Sequence, residues 1–76
     1  GNVHDAVVEL REGASMSPKN PDIRLALGLA LLKEGNKKAA RAEFREVAAI
    51  APKSEQARTA QDYITTLDGD AQKTNK

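Results

Sequence analysis

The sequence predicts an all-α fold of about four helices, paired as antiparallel hairpins and stacked side by side. Apolar residues recur at spacings of three and four along most of the chain, and no segment shows the period of two that marks a strand. Asparagine, proline and glycine divide this pattern into four stretches. Three pieces of sequence return at an offset of 34 residues: Gly1-Asn2 as Gly35-Asn36, Ala6 as Ala40, and Pro18 as Pro52. This offset is typical of helical hairpins that bury their apolar faces against one another.

The first two helices are bounded by clear start and stop signals. The first begins after the N-cap residue Asn2 and runs to about Met16, because Pro18 excludes the helical conformation at the residue before it. Its apolar face comprises Val3, Ala6, Val7, Leu10 and Ala14. The second helix is predicted over Pro21–Glu34, with Asn20 as its N-cap and proline in the first turn, where no N–H is needed.

The third and fourth helices follow the same rules. Gly35 is expected in the left-handed conformation that ends the second helix. Asn36 then caps a third helix that runs to about Ala51 and is ended by Pro52. The fourth is predicted over Glu55–Leu67, where Asp68-Gly69 acts as the stop signal. These bounds predict one helical domain over residues 1–68 and a disordered tail over residues 69–76, which is almost entirely polar.

The segment from Pro21 to Ser54 resembles a tetratricopeptide repeat. The resemblance rests on a Leu-Gly pair and a large residue in the first helix, glycine at the turn, small and aromatic residues in the second helix, and a closing proline: Leu27, Gly28, Leu31, Gly35, Ala40, Phe44 and Pro52. Two positions depart from the family pattern, since Arg24 replaces the usual tryptophan and Val47 a usual alanine. The resemblance implies a short right-handed solenoid.

The flanking segments resemble parts of the same repeat. Residues 1–20 match the turn and second helix of a preceding repeat, so the chain holds a half repeat followed by a full one. After Glu55 the pattern weakens, and Gln61-Asp62 stands where the Leu-Gly pair stood. A carboxylate cannot occupy a tight helix crossing without a partner, so we interpret Glu55–Leu67 as a capping helix.

Composition excludes several classes of function. The formal net charge is +1, and the chain has two aromatic residues and no cysteine. This gives neither the basic surface nor the stacking platforms that nucleic acids require. His4 has no second histidine or cysteine with which to share a metal, and the serines and threonines have no paired histidine to activate them. We therefore predict that the protein is not an enzyme and uses no cofactor or metal.

The family resemblance implies a binding surface on the concave side of the stack. In this family the first helix of each repeat lines that side. The residues predicted to form it here, which we call the inner surface, are Leu25, Leu29, Leu32, Lys33, Thr59, Tyr63 and Thr66. Leu25 and Leu29 stand at positions where some members bind a terminal carboxylate with lysine and asparagine, so the resemblance implies no such clamp here. The leucine stripe is interpreted either as a groove for an apolar or amphipathic segment or as part of the core.

The first helix offers a second candidate surface. Its residues Val3 and Val7 stand where the full repeat has Lys37 and Arg41. Together with Leu10 they predict an uncovered apolar face through which the chain forms a homo-oligomer. We expect the natural protein to continue ahead of Gly1, where a partner helix would cover this face.

The sequence thus predicts a module that binds a peptide or helix of another protein, or that scaffolds an assembly. The alternative is a purely architectural part of a longer solenoid, or a self-association module, without a separate ligand. No apolar stretch reaches the roughly 20 residues of a membrane span. We expect a soluble protein of the cytoplasm or periplasm that neither binds nucleic acid nor inserts into a membrane.

Overall fold

The computed structural model describes the backbone of residues 2–74 and the side chains of residues 2–69. Its elements are α1 (Val3–Met16), α2 (Pro21–Glu34), α3 (Lys37–Ile50) and α4 (Glu55–Thr74). Residues 2–74 contain no strand. The predicted all-α class is confirmed, and the bounds of the first three helices agree with the prediction to within one residue.

Local capping explains where these helices begin and end. The side chain of Asn2 accepts a hydrogen bond from the N–H of His4, and Asn20 accepts from the N–H groups of Asp22 and Ile23. These bonds satisfy donors that the helix itself leaves free. Gly35 has φ 92° and ends α2 in the left-handed region, as predicted.

The helices stack in chain order. Helix α2 packs against α1 on one side and α3 on the other and also touches α4, which lies against α3. The interior is apolar, and its largest fully buried side chains are Phe44, Leu27, Leu31 and Val47. Each hairpin therefore covers its neighbour, which is the packing that the internal repeat requires.

The predicted end of the fourth helix is wrong. Helix α4 continues through Asp68 and Gly69 to Thr74, seven residues past the predicted end at Leu67. Gly69 does not take up the positive φ of a helix-ending glycine. Asp68 is held by Arg41 of α3 through Nε–Oδ1 and Nη2–Oδ2 distances of 2.7 and 3.2 Å, so the predicted stop lies within the packed part of the helix. Asn75 and Lys76, the end of the predicted tail, lie outside the described residues.

Candidate protein-interaction surfaces

Helices α2 and α3 approach each other closely at Gly28 and Phe44. Gly28 lies against the ring of Phe44, so closely that a Cβ atom at Gly28 would be 2.5 Å from Cε1. Beside this contact, Arg24 donates to the Pro18 carbonyl at 3.1 Å and to Oε1 of Glu43 at 3.0 Å. Arg24 thus joins the helix to the preceding turn and to α3 through polar contacts, at the position where the family usually has tryptophan.

The inner surface is formed by equivalent positions of α2 and α4. Asp22 and Gln56 are 34 residues apart, and the amide of Gln56 donates to Oδ1 of Asp22 at 2.7 Å. This bond holds the starts of the two helices together. The three leucines of the stripe and Tyr63 are half-buried and pack against the core, whereas Lys33, Thr59 and Thr66 are exposed.

The leucine stripe has features of both predicted alternatives, the groove and the core. Leu25, Leu29 and Leu32 contact the core, yet none of them is fully buried. Tyr63 is turned into the fold, where its ring stacks on Phe44 with centroids 5.1 Å apart. The accessible part of the inner surface consists of leucine edges, threonine side chains and the ammonium group of Lys33.

A cleft lies between α1 and α2, and Leu29 lines it as well as the inner surface. Its volume is about 370 Å³, and it is lined by Asn2, Val3, Ala6, Ala26, Leu29, Ala30 and Lys33. Ala26 and Ala30 belong to the stripe of α2 that the sequence predicts to face neighbouring helices, but they were not among the predicted site residues.

The predicted uncovered face of α1 needs one correction. Val7 is only 3% exposed because it packs with the core, so it is not part of an open surface. The equivalent residue Arg41 reaches Asp68 of the following helix, which shows that this position faces the next helix in the chain. Val3 is 38% exposed and Leu10 is half-buried, so these two residues remain on the open side.

Helix α1 also exposes two apolar side chains, Val8 and Met16, that the sequence did not predict to be exposed. Among the described residues, the large apolar side chains classed as exposed are Val3 at 38%, Val8 at 51% and Met16 at 81%. All three belong to α1. Val8 and Met16 lie outside its three-and-four stripe, so only the fold shows that nothing described covers them.

A further polar contact joins α1 to α2. Nδ1 of His4 lies 2.7 Å from Oε2 of Glu34, which joins the start of α1 to the end of α2. In the part of the chain that the structure describes, no three His, Cys, Asp or Glu side chains cluster as a metal site would require. None of the helices in residues 2–74 combines the length and the apolar character needed to cross a membrane.

Stacked helical hairpins with a glycine at the helix crossing define a helical-repeat protein. A family model described as tetratricopeptide repeat matches residues 1–62. The match spans most of the chain, so the protein belongs to the tetratricopeptide repeat family. Repeats of this family generally mediate protein–protein interaction or scaffolding. No curated protein and no solved structure gave a match.

Proposed function

We propose that the protein binds a peptide or helix of a partner protein on its inner surface. The observation that carries the proposal is the half-buried state of Leu25, Leu29 and Leu32 on adjoining positions of α2. Each leucine keeps an accessible edge, and covering apolar area is worth about 25 cal/mol per Å². A partner segment with apolar residues at helical spacing would bury these edges.

The polar groups around the leucine stripe indicate which kind of partner segment would fit it. Lys33 is exposed at the end of α2, and exposed threonines of α4 border the other side. These groups suit an amphipathic segment with a hydrogen-bonding edge and an acidic group near Lys33. Leucines occupy the positions where a carboxylate clamp needs polar side chains, so a bare chain terminus is not the proposed ligand.

The test replaces two leucines of α2 by the residues that stand at the equivalent positions of α4. Leu25 and Leu32 correspond, 34 residues on, to Thr59 and Thr66 of α4. The double variant Leu25→Thr/Leu32→Thr should therefore keep the helical signal. Peptides selected from a displayed library on the native protein should bind this variant at least tenfold more weakly. Thr65→Ala, an exposed change elsewhere on α4, is the matched control and should bind as the native protein does.

The variant Leu29→Asp distinguishes the two interpretations of the leucine stripe, a groove or part of the core. If the stripe is a groove, this variant should stay folded and lose the peptide. If the stripe is core, it should unfold, because a buried unpaired charge costs several kcal/mol. Retained stability together with retained binding would contradict both interpretations, and amide shifts on α2 and α4 would locate the bound peptide directly.

A second candidate function is self-association through α1, favoured by the exposed Val3, Val8 and Met16. Sedimentation equilibrium over a range of concentrations would test it. A strict monomer at millimolar concentration would contradict the idea, whereas a dimer weakened by Val3→Asp would support an architectural role.

A further inference from the structure

The two ends of the inner surface carry opposite charges. Asp22, Leu29 and Lys33 follow one another at spacings of seven and four residues, so they lie on one face of α2. Asp22 is exposed in the first turn of the helix and Lys33 is exposed in the last, roughly 16 Å further along the axis. A segment bound along the leucine stripe would therefore meet a carboxylate at one end and an ammonium group at the other.

Both charges are open to a partner. Within residues 2–69, neither Asp22 nor Lys33 takes part in an ion pair. Asp22 accepts a hydrogen bond from the amide of Gln56 at 2.7 Å, and because an amide is neutral the carboxylate keeps its charge. Glu34, the residue next to Lys33, lies 2.7 Å from Nδ1 of His4 and is thus directed to α1. A bound segment with opposite charges at its ends would complement both groups.

The stripe between these charges suits a helix better than an extended segment. An extended backbone carries N–H and C=O groups that need hydrogen-bond partners once they are covered. The side chains of Leu25, Leu29 and Leu32 offer none. The bordering hydroxyls are those of Thr59 and Thr66, and Thr66 already donates within α4 at 3.0 Å. A helix satisfies its own backbone and presents apolar side chains at the spacings of three and four that the leucines themselves have.

The charges also set the direction of a bound helix. Acidic side chains stabilise the first turn of a helix and basic side chains the last turn. A partner helix with this distribution places its acidic end at Lys33 and its basic end at Asp22 if it runs antiparallel to α2. The same helix in the parallel direction would meet like charges at both ends, which is unfavourable.

We propose that the inner surface binds an amphipathic helix of a partner protein, antiparallel to α2. An acidic residue in the first turn of that helix pairs with Lys33, a basic residue in its last turn pairs with Asp22, and its apolar side covers the leucine stripe. This mode of binding rests on the function proposed above and adds the conformation, the direction and the terminal charges of the partner segment.

The probe is a designed helical peptide with glutamate in its first turn, lysine eleven positions later and leucines at spacings of three and four between them. A second peptide exchanges the glutamate and the lysine. Both are titrated into the full chain and into the swapped variant Asp22→Lys/Lys33→Asp. The control variant Lys38→Asp/Glu46→Lys makes the same two changes at exposed positions of α3. Circular dichroism checks that each variant keeps its helices.

The first peptide should shift the amide signals of Leu25 and Leu29. It should bind the native protein roughly fivefold more tightly than the second, as expected for two exposed ion pairs. Because the exchange also changes the helicity of the peptide itself, the ratio of the two dissociation constants is compared between proteins. This ratio should shift at least fivefold towards the second peptide in the swapped variant and stay unchanged in the control.

A nitroxide label at the N-terminus of the first peptide reports the direction on the native protein, so this measurement does not depend on the folding of any variant. It should broaden the amide signal of Lys33 more than that of Asp22.

Equal binding of both peptides at the inner surface, or stronger broadening of Asp22 than of Lys33, would overturn the proposed direction and leave the function proposed above intact. The same holds if the designed peptides fail to bind at millimolar concentration while peptides selected from a library shift the leucines of the stripe. If no peptide of either kind shifts these leucines, the function proposed above fails as well.

Discussion

Gly28 packs directly onto the ring of Phe44, and this contact holds α2 against α3. An added Cβ would lie 2.5 Å from Cε1 and 2.8 Å from Cδ1 of the ring, well inside normal contact. The ring has little room to move, since Phe44 is fully buried and also stacks on Tyr63. The Leu-Gly pair that identifies the repeat in the sequence is therefore a steric requirement of this crossing.

Gly28→Ala is predicted to destabilise the protein. Alanine is the better helix former by about 1 kcal/mol, but forcing a methyl group into a filled core costs about 1–3 kcal/mol, so the clash should prevail. Urea unfolding followed by circular dichroism measures the change. Gly13→Ala is the matched control, because its Cβ would lie 3.6 Å from Ile23, an ordinary contact, and it should leave stability unchanged or raise it.

The N-cap of α2 gives a second prediction. Oδ1 of Asn20 accepts two backbone N–H bonds, at 2.9 and 3.2 Å. Asn20→Ala leaves both donors without this partner and should cost about 1 kcal/mol of unfolding free energy. Asn20→Asp keeps the acceptor and should retain most of the stability. Equal losses in the two variants would show that the cap oxygen is unimportant.

The bounds of α1, α2 and α3 followed from the sequence because capping is local. Asparagine side chains, prolines and Gly35 act on the few residues next to them, so their effect needs no knowledge of the fold. The 34-residue repeat added the stacking order, since equivalent helices must make equivalent contacts. These two kinds of information together predicted the fold class.

The assignment of Val7 to an open face failed for a reason that lies in tertiary structure. Comparison with Arg41 showed a polar residue replaced by an apolar one, but not which neighbour that position faces. Arg41 reaches forward to Asp68, so Val7 faces α2 and is buried. The exposure of Val8 and Met16 likewise depends on what covers α1, which no pattern within α1 reveals.

The pair of Arg41 and Asp68 is predicted to contribute little to stability. Its two contacts are short, but the side chains remain 36% and 46% exposed. Exposed pairs contribute about 0.2–1 kcal/mol and weaken in salt. A double-mutant cycle with Arg41→Ala and Asp68→Ala should give a coupling energy in that range at low ionic strength and near zero in 1 M NaCl. Coupling that persists in high salt would show that the pair is effectively buried.

Residues 70–76 are predicted to add little to the stability of the domain. Ala71 is the one apolar residue among them, so they have almost no apolar area to bury. A chain ending at Gly69 should unfold at the same urea concentration as the full chain, with the same dependence on denaturant. A lower midpoint would show that the last residues pack against the domain and would contradict the predicted tail.

Gly69→Ala distinguishes a continuous α4 from a helix that stops at this residue. In the structure Gly69 lies within α4, and an added Cβ meets no atom of the described side chains, residues 2–69, within 4 Å. Alanine in such a place should stabilise the helix by about 0.5–1 kcal/mol. At a helix-ending position with positive φ, the same change would instead cost roughly 1–2 kcal/mol. A higher urea midpoint would support a continuous α4, and a lower midpoint would indicate a helix that ends at Gly69. The Cα chemical shifts of residues 68 and 69 in the Gly69→Ala variant check this independently.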